Sequence, residues 1–247
     1  MASKERKAIV TGAASGIGRA VTERLIDEGV GVLAVDIDDV RLQTIVSPKC
    51  EVFVADIARS ADREKLATVA GGYDYLVNAA GILRVKPILE ITVEDWRTIQ
   101  TINAESVFFL CQQVGARLNS GGAIVNLSSS SAKLATSVDV APYAASKTTI
   151  LSITRSFAYA FADRPIRVNA ICPGIVETEM QTKFLDGVAQ KRGTTAAELD
   201  AQRKKAVPLG RGASATECAG LIWFLLSDEA AYMTGQAINF TGGLVNW

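Results

Sequence analysis

Short apolar runs alternate with longer amphipathic stretches along almost the whole chain. Residues 7–11 (KAIVT), 31–36 (GVLAVD), 51–55, 75–78 (YLVN), 123–128 (AIVNLS), 166–172 (IRVNAIC) and 237–240 have strand length and are rich in branched residues. Residues 17–28, 38–46, 60–70, 93–118, 143–162 and 216–226 carry longer patterns that predict helices. The charged stretch 179–212 reads as irregular and partly helical. Near-continuous apolar strands between helices predict a parallel sheet covered on both faces. Right-handed crossovers then give a doubly wound α/β fold. No Pro/Gly linker or internal repeat divides the chain, so residues 1–247 form one predicted domain. Within it, 179–212 is placed as a lid over the site.

Composition removes several classes of function. Lys and Arg number 26, as do Asp and Glu, so net charge is zero. No nucleic-acid footprint or polybasic membrane patch is expected. The polar start leads straight into a strand, with no signal peptide or membrane-length apolar run expected. The cysteines (Cys50, Cys111, Cys172, Cys218) lack metal-site spacing and read as buried thiols of a cytoplasmic protein. Histidine is absent. A Ser-His-Asp triad and an HExxH zinc site are therefore excluded, and no metal is expected. Acid/base work falls to Tyr, Lys, Asp, Glu, Cys or Ser.

The turn after the first strand reads Thr11-Gly-Ala-Ala-Ser15-Gly16-Ile17-Gly18. Gly12 permits a tight turn, Gly16 lets backbone approach a pyrophosphate, and Gly18 lets the helix pack on the strand. The helix start offers free N–H groups and the positive end of a dipole. Asp36 ends the second strand, 18 residues past Gly18. A carboxylate there accepts from ribose hydroxyls and repels a 2′-phosphate. With no basic residue in 12–17, the expected cofactor is NAD.

Tyr143-Ala-Ala-Ser-Lys147 carries the chemistry. Positions i and i+4 share a helix face, so both side chains project together. An unperturbed phenol titrates near 10 and is a poor base at neutral pH. A nearby ammonium is expected to lower that value, giving a general acid/base without histidine.

These motifs, in this order, resemble the short-chain dehydrogenase/reductase family over essentially the whole chain. The resemblance implies a Rossmann-like fold and hydride transfer between nicotinamide and a CH–OH group. It implies cofactor contacts from Asp56 and Ile57, and from Asn78, Ala80 and Gly81 of an NNAG-like turn in which Ala79 replaces the second Asn. It adds Pro173, Gly174, Ile175, Val176 and Thr178 after the sixth strand. Tyr143 and Lys147 are implied to touch the cofactor too. Asn103 resembles the member that supports a proton path from the lysine. A serine at the end of the fifth strand is implied to hold the reacting oxygen. Within Ser128–Ser131, loop spacing favours Ser130 and strand register favours Ser129, the one chosen. Family habit implies a homotetramer.

Substrate identity is less legible. Leu83, Leu134, Thr136, Met180 and Phe184 are pocket candidates. Acid-using relatives carry Arg where this chain has Val140, so a carboxylate substrate is disfavoured unless Arg84 or Lys133 substitutes. A polyol, hydroxyketone or sugar-like alcohol is the expected class. Alternatives are a hydroxyacid or cyclic dihydrodiol dehydrogenase, an NADPH-type ketoacyl reductase, and a non-catalytic NAD-binding regulatory protein.

Overall fold

The computed structural model describes residues 5–135 and 137–247. Seven parallel strands form one sheet in the order β3-β2-β1-β4-β5-β6-β9. They are β1 (Lys7–Thr11), β2 (Gly31–Asp36), β3 (Cys50–Val54), β4 (Tyr75–Asn78), β5 (Ala123–Leu127), β6 (Arg167–Pro173) and β9 (Ala237–Phe240). The order runs outward from β1 in one direction and from β4 in the other. A crevice opens at that reversal, beyond the strands' carboxyl ends.

The strands are apolar at successive positions because each face has its own core. In β1, Ala8 and Val10 face one cluster and Ile9 the other. In β5, Ala123, Val125 and Leu127 face the first and Ile124 the second. The first cluster is closed by α1 (Gly16–Asp27) and α9 (Ala215–Leu226), through Leu25 and Ile222. The second is closed by α3 (Ser60–Val69), α5 (Ser106–Gln113) and α6 (Ala141–Ala160), through Leu66, Leu110 and Phe157. Period-two strands with both faces buried produce this apolar pattern.

Three predicted elements differ from their expectation. Residues 38–46 yield only a short helix, α2 (Asp39–Gln43). The single helix predicted over 93–118 is α4 (Val93–Gln100), a π-turn at Thr101–Glu105, α5, and a 3-10 turn at Gly115–Arg117. The stretch 179–212 holds two regular helices, α7 (Glu179–Arg192) and α8 (Ala196–Lys205), which cover the carboxyl end of the sheet. Thr195 and Glu198 form a reciprocal capping box at α8, and Gly193 (φ 65°) terminates α7. A small second sheet pairs β7 (Val176–Glu177) with β8 (Ala213–Ser214), joining both ends of this segment.

Candidate active site

A cavity of about 780 Å³ occupies the crevice. The turn between β1 and α1 forms one wall, with Gly12, Ser15, Gly16, Ile17 and Gly18 lining it. Glycine is required here by geometry. A Cβ on Gly12 would lie 2.7 Å from the backbone of Ala80, and Gly12 has φ +71°. A Cβ on Gly18 would lie 2.1 Å from the Gly12 carbonyl oxygen. The Ser15 side chain caps nothing, so the first amides of α1 stay available to an anion at the cavity wall.

Asp36 lines the same wall. Its carboxylate accepts from the Ala14 amide at 3.0 Å, Ile37 at 2.8 Å and Asp38 at 3.1 Å. Three donors leave room on the two oxygens for a further hydroxyl. Asp56 and Ile57 also line the cavity. The Ile57 carbonyl is held by Arg63 at 2.7 Å, and this buried guanidinium lies over the Phe109 ring. Ala80 and Gly81 line the next stretch, and Pro173, Gly174, Ile175, Val176 and Thr178 line the opposite rim. The uncapped amides, the glycine cradle and Asp36 fit a dinucleotide.

Asn78 departs from its expected place. It lies on the same side of β4 as Leu76, and its amide donates to Asn126 at 2.8 Å within the buried layer. Asn126 in turn donates to Thr154 at 3.0 Å. Strand alternation turns the Asn78 side chain into the protein, so it organises the sheet instead of lining the cavity.

The chemical end is built by β5 and α6. Ser129, Ser130, Tyr143 and Lys147 all line the cavity. The Lys147 ammonium lies 5.6 Å from the centre of the Tyr143 ring, so the two residues share a face of α6. Lys147 donates to the Leu127 carbonyl at 2.7 Å, while the Ser128 hydroxyl donates to the Lys147 carbonyl at 2.8 Å. Ser129 lies two residues past the end of β5, where its hydroxyl accepts from the Ser131 amide at 3.1 Å and pulls on the Tyr143 phenol.

Electrostatics correct one expectation. Burial pushes the Tyr143 phenol above its ordinary value, with the Ser129 hydroxyl pulling it down. Burial also lowers Lys147 to about 8, with the nearby Cys172 opposing. Desolvation thus dominates both partners, and the expected fall of the phenol is not a property of the protein by itself.

Asn103 is fully buried in the π-turn. Its Oδ1 accepts from the Ile82 amide at 2.8 Å, and its Nδ2 donates to the Ile82 carbonyl at 2.9 Å and to Ser146 at 3.1 Å. A Cβ on Gly81 would sit 3.2 Å from Asn103 Oδ1 and 3.5 Å from Lys147 Nζ. Asn103, the turn after β4 and Lys147 therefore meet at Gly81.

Of the pocket candidates, Leu83, Leu134, Met180 and Phe184 line the cavity, while Thr136 lies outside the described residues. Val140 lines it as well, in an apolar cluster with Phe184, Leu185, Val188 and Leu199. Arg84 pairs with Asp95 at 3.5 Å, and Lys133 donates to the Ala237 and Trp247 carbonyls. Neither basic residue turns to the cavity. Sequence reasoning missed Gln181, Arg192 and Arg203, which reach it from α7 and α8. The capping box and Gly193 could have revealed the helices, but not which polar side chains face inward.

Comparison with known proteins bears on the family and the fold. Residues 12–245 match the family described as enoyl-(acyl carrier protein) reductase. The chain is 35% identical to D-threitol dehydrogenase of Mycolicibacterium smegmatis, over 96% of this chain and 91% of that one. It is 36% identical to a 3-oxoacyl-acyl-carrier-protein reductase of Thermotoga maritima, over 96% of both. A variant of actinorhodin polyketide ketoreductase, solved with NADPH, superposes with a TM-score of 0.93 at 32% identity over all of both chains. The chain belongs to the short-chain dehydrogenase/reductase family, as an oxidoreductase acting on CH–OH groups.

Proposed function

We propose that the protein is an NAD-dependent dehydrogenase of a small secondary alcohol, reversible to the ketone, with polyols, hydroxyketones and sugar-like alcohols as the favoured class. The observation that carries this reading is the convergence of Ser129, Tyr143 and Lys147 on the cavity that the glycine turn and Asp36 also line. The threitol-acting relative supports the substrate class, and Asp36 supports NAD.

In the proposed reaction Ser129 holds the reacting oxygen and Tyr143 exchanges its proton. During oxidation the alcohol proton passes to the Tyr143 oxygen. The nicotinamide, when bound, supplies the acceptor or donor of hydride. Lys147, with its value near 8, is mostly charged at neutral pH. Its ammonium, with the cofactor's positive charge, opposes the burial that raises the phenol. Lys147 is also placed to bind the nicotinamide ribose. Asn103 is a positioning residue that clamps the Ile82 backbone beside Lys147 and supports proton relay. Helices α7 and α8 act as the lid.

A second reading, an NADPH-using ketoacyl reductase, is favoured by two of the relatives. The Asp36 carboxylate opposes it. The test is a panel of polyols, hydroxyketones and acyl substrates followed by nicotinamide absorbance with each cofactor. Tyr143→Phe should abolish turnover while cofactor binding persists. Turnover retained in that variant would overturn the mechanism.

We place the enzyme in the cytoplasm as a homotetramer. All four cysteines are free and buried, and no helix among the described residues is long and apolar enough to cross a membrane. Trp96, Phe108 and Tyr159 lie exposed on α4, α5 and α6, as an interface would use them. Light scattering that gave a monomer at micromolar concentration would contradict the assembly.

A further inference from the structure

The cations around the substrate end are unequal. Arg192 on α7 pairs with Asp139 at 3.6 Å. Lys204 on α8 is held between Glu177 at 3.0 Å and Asp200 at 2.8 Å. Arg84 and Lys133 are spent elsewhere, as described. Arg203 stands apart. It has no ion pair among the described residues, and its Nη1 is buried without a hydrogen-bond partner. Its guanidinium lies 4.6 Å from the centre of the Phe184 ring. Phe184 belongs to the apolar cluster against which Tyr143 packs, so Arg203 reaches the cavity near the reacting end.

A buried guanidinium donor with no acceptor is costly, and proteins rarely retain one without use. The nearest opposing charge is Asp200, one turn earlier on the same helix and already bound to Lys204. The guanidinium sits over the Phe184 ring while its Nη1 has no hydrogen-bond partner. A planar fork with an unspent edge matches a carboxylate, which can take two parallel bonds. Phe184, Val140, Tyr143 and Arg203 all line the cavity, and the first three belong to one apolar cluster, which suits a short carbon chain.

We propose that Arg203 binds a carboxylate at the end of the substrate remote from the reacting carbon, so that the enzyme acts on short hydroxy acids and their keto acids. The proposal rests on the reading of Tyr143 and Ser129 as the reacting end; it keeps the secondary-alcohol chemistry given above and sets hydroxy acids in place of the neutral class that the threitol-acting relative favours.

Skeleton-matched pairs test it: 3-hydroxybutyrate against 2,3-butanediol, and threonate against threitol, each with the same cofactor. The wild type should favour one acid over its neutral partner by at least about tenfold in kcat/KM, the weight of a charge-assisted hydrogen bond. Arg203→Met should lose roughly 10- to 100-fold on the acid, mostly in KM, and change the neutral partner by less than about threefold. Arg203→Lys should recover part of that loss. A preference of the wild type for the neutral partners, or an equal loss on both in Arg203→Met, overturns the proposal.

If no alcohol is oxidised with either cofactor, the dehydrogenase reading fails while the arginine remains open to calorimetry. There 3-hydroxybutyrate and threonate are titrated into the NAD-loaded protein. Binding of one that Arg203→Met weakens at least tenfold, at an unchanged melting temperature, supports the site. No binding of either acid to the wild type overturns it.

Discussion

Asp36→Asn separates the electrostatic account of cofactor choice from a purely steric one. The carboxylate accepts three backbone amides, two on Oδ1 and one on Oδ2. An asparagine oxygen can keep the Ile37 and Asp38 amides, but its NH₂ then meets the Ala14 amide as a second donor. That lost charge-assisted bond should cost about 1.5–3 kcal/mol of stability. The larger effect falls on the cofactor. A unit charge about 6 Å from a 2′-phosphate, at an effective dielectric near 20, opposes it by about 3 kcal/mol per phosphate charge. Removing that charge should lower the NAD-to-NADP ratio of kcat/KM by roughly 100-fold, since about 1.4 kcal/mol is a factor of ten. The ratio is measured by nicotinamide absorbance at fixed ionic strength, because screening reduces the effect. A wild type that prefers NADP, or a variant whose ratio moves by less than about threefold, would refute the reasoning.

Gly12→Ala forces a Cβ into the Ala80 backbone at a left-handed backbone angle. It should lower stability by about 2–4 kcal/mol and abolish cofactor binding, read by thermal melting with and without NAD. Lys147, depressed to about 8 by burial, has an ordinary value of 10.5 when unfolded. Between those values the unfolded chain holds a proton the folded protein has shed, so stability rises with pH across the window, and the penalty is complete below 8. Wild type should therefore gain on Lys147→Gln by up to about 3 kcal/mol as pH climbs from 8 to 10.5, measured by urea midpoints; a constant difference contradicts the assignment. Asn103→Ala frees the Ile82 amide and carbonyl from their clamp. It should lower kcat by at least about tenfold while melting shows a loss of about 2–4 kcal/mol; an unchanged pH–rate profile would deny it a part in proton relay.

Much of the sheet was legible because its signal is local. β1, β2, β4 and β9 fall where the apolar runs place them; the first three runs reflect burial on both faces, while β9 at the sheet edge is half-buried. The glycine turn was legible because close backbone approach excludes every side chain. Asn78 was misread because its role depends on strand parity: it shares a face with Leu76, toward Asn126 and Cys111. The π-turn at Asn103 was invisible, since an added residue in one helical turn leaves the surrounding apolar pattern intact. The fall expected in the Tyr143 value is not seen in the protein alone, because desolvation, which no motif reports, raises the phenol against the pull of the Ser129 hydroxyl. Arg203 left no mark in the sequence: among the many charges of 179–212, only the packing of α7 and α8 shows which ones face inward.

The paired bonds of Lys147, its ammonium to the Leu127 carbonyl and its carbonyl from the Ser128 hydroxyl, have a consequence for turnover. They stitch α6 to the end of β5, so the proton-transfer groups travel as one rigid block with the sheet. On the proposed reading of α7 and α8 as a lid, substrate can then come and go by displacing those two helices. The acid/base alignment need not be rebuilt in each cycle, and lid motion is free to set the pace of release.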